Sequence, residues 1–223
     1  LSIQSFSHSF FLFMFKKLLL GLLLISPFSA LAHPHAFIDM QTKPLVKDNQ
    51  LIGFSTQWLL DEASSSAVLY DVKQAKGDKA AQQKLTDEVM ANVVNEHYFS
   101  YVFDKENHKI KYTKHPENYG MRVKGNEVEY YFDFLLAQPQ SLQNNEFTLM
   151  TYDRTYYVAM RYAETGKRSV DFSSLPANCK GEVLEPNVDE KIQSYASSLD
   201  KSQKNEDDSL GVLFAQKLKI KCE

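Results

Sequence analysis

The sequence predicts a mainly β fold (α+β), an antiparallel β-sandwich-like domain with a helical insertion and a short helical C-terminal section. Apolar residues alternate with polar ones in several stretches, most clearly Leu51–Leu60 and Glu127–Leu136, because alternate residues of a half-buried strand face opposite sides of the sheet. In two other stretches, at about 64–97 and 187–200, apolar residues recur at helical spacing. We therefore expect one β-rich domain with helices at two places in the chain.

The first half of this domain is predicted to begin with a hairpin. Its strands are Phe37–Thr42 and Leu51–Leu60, and the polar residues 47–50 make the connecting turn. The helical insertion at about 64–97 follows. Its apolar positions are Leu85, Val89 and Val93.

The second half is predicted to contain two further hairpins. Glu127–Leu136 follows residues 119–124 after a Gly-Asn pair, which is typical two-residue hairpin chemistry. The aromatic stretches Phe147–Asp153 and Thr155–Tyr162 indicate the other hairpin, with an aspartate available to bond the turn amides. At the end of the chain, apolar residues alternate with lysines over 217–222, a pattern typical of an exposed edge strand.

Length and composition exclude several classes of protein. The 223 residues are enough for one mid-sized domain with its own core. The net charge of −3 gives no basic field, so we expect no nucleic-acid partner. Two cysteines are too few for a small disulfide-stapled scaffold.

The first 32 residues have the pattern of a cleaved secretory signal. A lysine pair precedes the apolar run Leu18–Ile25, and Ala30-Leu31-Ala32 supplies a small-residue cleavage site. The run is far shorter than the roughly 20 residues of a membrane span. We expect Met14 to be the initiator, residues 1–13 to be a start-site artefact, and the mature chain (33–223) to reside in a bacterial periplasm without spanning the membrane.

If the chain is exported, its two cysteines are expected to form a disulfide. Cys179 and Cys222 would meet an oxidising compartment, where cysteines of a secreted chain usually pair. We therefore expect a Cys179–Cys222 disulfide that ties down the C-terminus.

The mature start, His33-Pro34-His35, is the best candidate for chemistry. Two imidazoles and a free α-amine form a donor set suited to a divalent transition metal (Zn, Ni, Co or Cu). Asp39 and Asp61 are candidate further ligands. Solvated histidines near a frayed terminus are the alternative. The sequence contains no hydrolase, nucleotide-binding or HExxH motif, and adjacent Asp61 and Glu62 on a strand would face opposite sides, so we expect no enzymatic activity.

The chain resembles the DUF1007 family of exported bacterial proteins over essentially the whole mature chain. The resemblance rests on HPHAFIDM after the signal, QWLLDEASS, NVVNEHYFSYVF, TYDRTYYVAM, Cys179 and the closing FAQKLKIKC. It implies a periplasmic component of an uncharacterised ABC-type transport system, working beside a nickel/cobalt/zinc-type inner-membrane permease. It also implies an EF-hand-like loop, but here the matching residues 70–78 put Lys73 and Ala75 at ligand positions, so we expect no calcium site.

These observations lead to one main hypothesis and two alternatives. The main hypothesis is a non-enzymatic periplasmic protein that binds a divalent transition metal through His33, His35, the α-amine and Asp39 or Asp61. The first alternative is an interaction module that docks on a membrane permease without binding metal. The second is a copper enzyme that uses its N-terminal histidine as a brace.

Overall fold

The computed structural model describes residues 34–162, 169–199 and 209–223, and it confirms the fold class. The predicted signal peptide (1–32), the 1–13 segment and His33 lie outside the described residues. The strands are β1 (Ala36–Lys47), β2 (Gln50–Leu60), β3 (Ser100–Phe103), β4 (Lys109–Ile110), β5 (Glu117–Lys124), β6 (Glu127–Ser141), β7 (Glu146–Thr151), β8 (Val158–Tyr162), β9 (Cys179–Leu184) and β10 (Lys217–Cys222). The helices are α1 (Glu62–Gln74), α2 (Lys79–Asn95), α3 (Glu190–Ser198) and α4 (Leu210–Phe214).

The described strands form two five-stranded sheets. The first has the order β5-β6-β2-β1-β8 and the second the order β4-β3-β7-β10-β9. Strand pairing is antiparallel except between β1 and β8, which run parallel. The core contains alternate residues of β2 and β6 from the first sheet and of β3, β7 and β10 from the second, which include Phe54, Trp58, Tyr130, Phe132, Phe134, Val102, Phe147, Leu149, Leu218 and Ile220.

Helices α1, α2 and α3 begin at aspartate side-chain caps. The predicted insertion consists of α1 and α2, separated by residues 75–78. Asp78 caps α2 by accepting hydrogen bonds from the amides of Ala80 and Ala81, which leaves fewer unpaired donors at the helix start. Met90 and Val93 of α2 are buried in the main core. No helix in the described parts of the chain has the length and apolar character of a membrane span.

The predicted hairpin of 147–153 with 155–162 is wrong, because β7 and β8 belong to different sheets. Between them, one Asp153 carboxylate oxygen accepts from the amide of Thr155 (3.1 Å) and the other from the amide of Val158 (3.0 Å). These bonds stabilise a loop that carries the chain from the second sheet to the first. The alternating aromatics identify both stretches as strands, but they do not identify the sheet that each one joins.

The predicted edge position of the last strand is also wrong. β10 is paired on both sides, with β7 and with β9. Its lysines alternate with three buried residues, and Lys219 Nζ donates to Glu146 Oε1 of β7 at 3.0 Å. The lysines therefore mark the outer face of a strand inside the sheet.

The predicted disulfide is confirmed. Cys179 and Cys222 are bonded, and they are register partners on β9 and β10. The bond therefore links the last strand to its neighbour at a point where the backbones are already paired.

Replacing both cysteines by serine should lower the free energy of unfolding by about 4 kcal/mol, because the bridge restricts a loop of about 44 residues in the unfolded chain. Urea denaturation of the variant and of the oxidised wild type measures this difference. The matched control is a reductant, which should destabilise the wild type and leave the double variant unchanged. A difference below about 1 kcal/mol would contradict the expected effect of loop closure.

Candidate functional site

The start of β1 is held in the interior of the first sheet. The amide of His35 donates to Tyr157 O at 2.9 Å, and the amide of Ala36 donates to the same oxygen at 3.3 Å. The half-buried His35 ring lies 4.9 Å from the Tyr157 ring, measured between centroids. The predicted ligand His35 is therefore fixed to the strand β8 side of the sheet, whereas His33 lies outside the described residues.

Asp61 ties the same strand end to helix α1. Its Oδ2 accepts from the amide of Phe37 at 2.6 Å and from Ser64 Oγ at 3.0 Å. Its Oδ1 accepts from the amide of Ser64 at 2.7 Å, which caps the helix. Burial alone would raise the pKa of Asp61, but the hydrogen bonds from Ser64 and Phe37 outweigh it and leave the pKa below its ordinary value. A carboxylate with three donors has little acceptor capacity left for a metal.

Asp39 has a cationic partner on the neighbouring strand. Arg161 Nε donates to Asp39 Oδ1 at 3.1 Å, and the two residues are register partners of β1 and β8. The Arg161 guanidinium therefore already balances the negative charge of the Asp39 carboxylate. A metal bound by Asp39 would have to compete with Arg161.

The described residues hold one group of three side chains whose potential ligand atoms all lie within 4.8 Å of one another. It consists of Asp104, Glu106 and His108, and not of the predicted His35, Asp39 and Asp61. Asp104 accepts from the amides of Glu106 (3.0 Å) and His108 (2.8 Å), so the carboxylate closes an exposed turn between β3 and β4. The His33/His35 metal site stays a prediction, because its first histidine is not among the described residues.

Sequence reasoning missed a cavity of about 770 Å³ beside the end of α2. Its wall includes His97 and Tyr98 of a turn in which His97, Tyr98 and Phe99 have φ angles of 53°, 57° and 49°. For a residue other than glycine, adopting this left-handed conformation costs on the order of 1–2 kcal/mol. Such strained turns are concentrated at functional sites. The residue types give little signal of this turn, because histidine is enriched in the left-handed conformation but tyrosine and phenylalanine are not, and glycine and asparagine are the usual residues there.

Tyr98 is positioned by this turn and forms the inner wall of the cavity. Its ring is buried and stacks on Phe132 and Phe134, with centroid distances of 5.8 and 5.2 Å. Beside it, the hydroxyl of Tyr112 donates to Ser100 O at 2.6 Å and accepts from the amide of Val102 at 2.9 Å. The cavity wall is therefore continuous with the core of the domain.

The comparisons with known proteins agree with the resemblance found in the sequence. A family model described as "Protein of unknown function (DUF1007)" matches residues 18–222. The chain belongs to the DUF1007 family. A relative from Haemophilus influenzae, described only as an uncharacterized protein, is 64% identical over 207 residues, which is 93% of this chain and 98% of the relative. No solved structure matches the chain. Membership of the DUF1007 family therefore assigns no activity to the chain, and a function has to be inferred from the residues of the candidate sites.

Substituting Asp61 by alanine should lower the free energy of unfolding by about 2 kcal/mol, because both the helix cap and the Phe37 amide lose their acceptor. Asp61→Asn is the matched control and should cost less, because its side-chain oxygen can still accept one of these bonds. Urea denaturation measures both differences.

The gap between wild type and Asp61→Ala should also depend on pH. Because the folded pKa of Asp61 lies below its ordinary value, the contribution of the carboxylate is present near neutral pH. It is lost as the pH falls below about 4 towards the folded pKa. A gap that widened on acidification would contradict this role.

Proposed function

We propose that the protein is an exported, non-enzymatic protein that binds a divalent transition metal (Zn, Ni, Co or Cu) and works beside an inner-membrane metal permease. The observation that carries the proposal is the fixation of His35. Two backbone hydrogen bonds to Tyr157 O and a ring contact with Tyr157 hold this imidazole at the start of β1. A ligand held in place loses less conformational entropy when it binds a metal than one on a flexible tail.

The donor set is assigned to His33, His35 and the α-amine that signal cleavage would expose at His33. Imidazole and amine nitrogens suit borderline metals such as Zn, Ni and Cu. Asp61 is committed to α1 and Phe37, and Asp39 is paired with Arg161. In this proposal Asp39 serves as a fourth ligand only when the metal displaces the guanidinium, and Asp61 acts by keeping the strand end in place.

Export is supported by the disulfide and by the signal-like start of the sequence. The Cys179–Cys222 bond is of the kind that persists in oxidising compartments. The Lys16-Lys17 pair, the apolar run and Ala30-Leu31-Ala32 have the order of a signal peptide. The bacterial periplasm is both oxidising and reached by proteins that carry a signal peptide.

A second candidate function is docking on a membrane partner without metal binding. Phe37 and Tyr157, which flank His35, are 42% and 44% exposed. Exposed aromatic side chains are enriched at the centres of protein interfaces. The test is whether the protein associates with the membrane fraction. Association that persists in the presence of a chelator and after loss of both histidines, but is abolished by the double substitution Phe37→Ser and Tyr157→Ser, would favour this function.

Titration calorimetry of the 33–223 chain with Zn, Ni, Co and Cu tests the metal proposal. We expect at least one ion to bind with a Kd tighter than about 10 μM, a binding free energy of about 7 kcal/mol. His33→Ala with His35→Ala should weaken that binding at least about a hundredfold, since two of three donors are lost.

Two controls separate this site from other donors. His108→Ala removes an exposed histidine of the Asp104 turn and should leave the affinity unchanged. An extra alanine before His33 keeps both imidazoles but moves the α-amine, so it should weaken binding. Binding that survives the double histidine variant, or that is lost in His108→Ala, would overturn the assignment.

A further inference from the structure

We propose that the cavity beside the end of α2 is a binding site for a small organic anion that carries an aromatic ring, of the aromatic carboxylate class. The cavity volume of about 770 Å³ lies in the range of small-molecule sites. The proposal does not depend on the metal site, because the two sites share no residue.

The charges around the cavity favour an anion. Among the described residues that line it, the four cations are Lys109, Lys111, Lys114 and Arg154, and the one acid is Glu96. This local excess of positive charge stands out in a chain whose net charge is −3. A concave surface lined by charge of one sign concentrates ligands of the opposite sign.

The aromatic residues favour a ligand with a ring. The rings of Tyr101 and Tyr152 lie 4.8 Å apart, and Lys109 Nζ is 4.6 Å from the centre of the Tyr101 ring. A cation held beside an aromatic face can meet a carboxylate while the tyrosines contact the attached ring.

The phenols of the wall add no negative charge of their own. Burial raises the pKa of Tyr98 and of Tyr152 to about 12, so both hydroxyls stay protonated at neutral pH. Tyr112 is bonded to the backbone of Ser100 and Val102, and Tyr98 is stacked in the core. The tyrosine part of the wall is therefore uncharged and preformed, which reduces the cost of ordering it around a ligand.

Glu96 is the feature that opposes an anion. Its Oε2 lies 3.9 Å from a guanidinium nitrogen of Arg154, and both side chains are 51% exposed. Because the carboxylate competes for Arg154 and repels a bound anion, its removal should strengthen binding. This expectation separates an anion site from a hydrophobic cavity.

Calorimetry and amide NMR shifts with 2-naphthoate as the probe test the proposal on the 33–223 chain. We expect measurable binding, with shifts centred on residues 94–114 and 152–154. Lys109→Met, Arg154→Gln and Tyr152→Leu should each weaken binding by about tenfold, while Glu96→Gln should tighten it by about threefold. Lys84→Met, which removes an exposed cation on α2 away from the cavity, should change nothing.

Several results would overturn the proposal. These are no binding below about 1 mM, equal binding of the cation 2-naphthylmethylammonium, or equal binding of the non-aromatic anion citrate. A tighter complex with hexaglutamate would instead identify the cavity as a docking site for an acidic peptide. Circular dichroism of each variant ensures that a lost signal is not simply a lost fold.

Discussion

The position of β1 inside the first sheet is the constraint on which the rest of the site depends. β1 pairs antiparallel with β2 on one side and parallel with β8 on the other. A strand paired on both sides cannot fray without breaking two ladders of hydrogen bonds. The chain therefore enters the described domain in the middle of a sheet, and His35 lies directly before that strand.

The same strand end couples the sheet to the helices. Asp61 closes β2 against Phe37 and starts α1 with one carboxylate, and Ser65 of α1 accepts from the amide of Val128 on β6 at 2.9 Å. Loss of the Asp61 carboxylate would thus loosen helix α1, the β1–β2 hairpin and the candidate ligand His35 together. At the other end of the helical insertion, Tyr98 stacks on β6 and forms the cavity wall. The candidate metal site therefore lies where the insertion begins, at the first sheet, and the cavity lies where the insertion ends, beside β3 and β4 of the second sheet.

Much of the fold could be predicted because burial imposes a period on the sequence. The alternation over Glu127–Leu136 predicts one buried face, and its apolar members Val128, Tyr130, Phe132, Phe134 and Leu136 are all buried. The Gly-Asn pair predicts the hairpin turn before β6. In the structure Gly125 has a φ of 65°, which glycine tolerates because it has no Cβ. Periodicity reports which face of a strand is buried, but it does not report the partner of that strand. For that reason the β7–β8 hairpin and the edge position of β10 were predicted wrongly.

The candidate sites were less predictable than the fold. The histidine pair was found because its chemistry is visible in consecutive residues, whereas the partners of Asp39 and Asp61 depend on register and capping. The cavity was not found, since its cations come from separate segments that only the tertiary fold brings together. Its left-handed turn, at His97–Phe99, contains no glycine or asparagine, the residues that most often adopt that conformation.

Hydrogen exchange at the amides of His35 and Ala36 measures whether the start of β1 is held in the sheet. The 33–223 chain should show exchange at both amides on the order of a hundredfold slower than in an unstructured peptide of the same sequence, because both donate to Tyr157 O. Exchange at the peptide rate would mean that the start of β1 is not held in the sheet. The histidines would then belong to a flexible tail, and His35 would not be a preformed metal ligand.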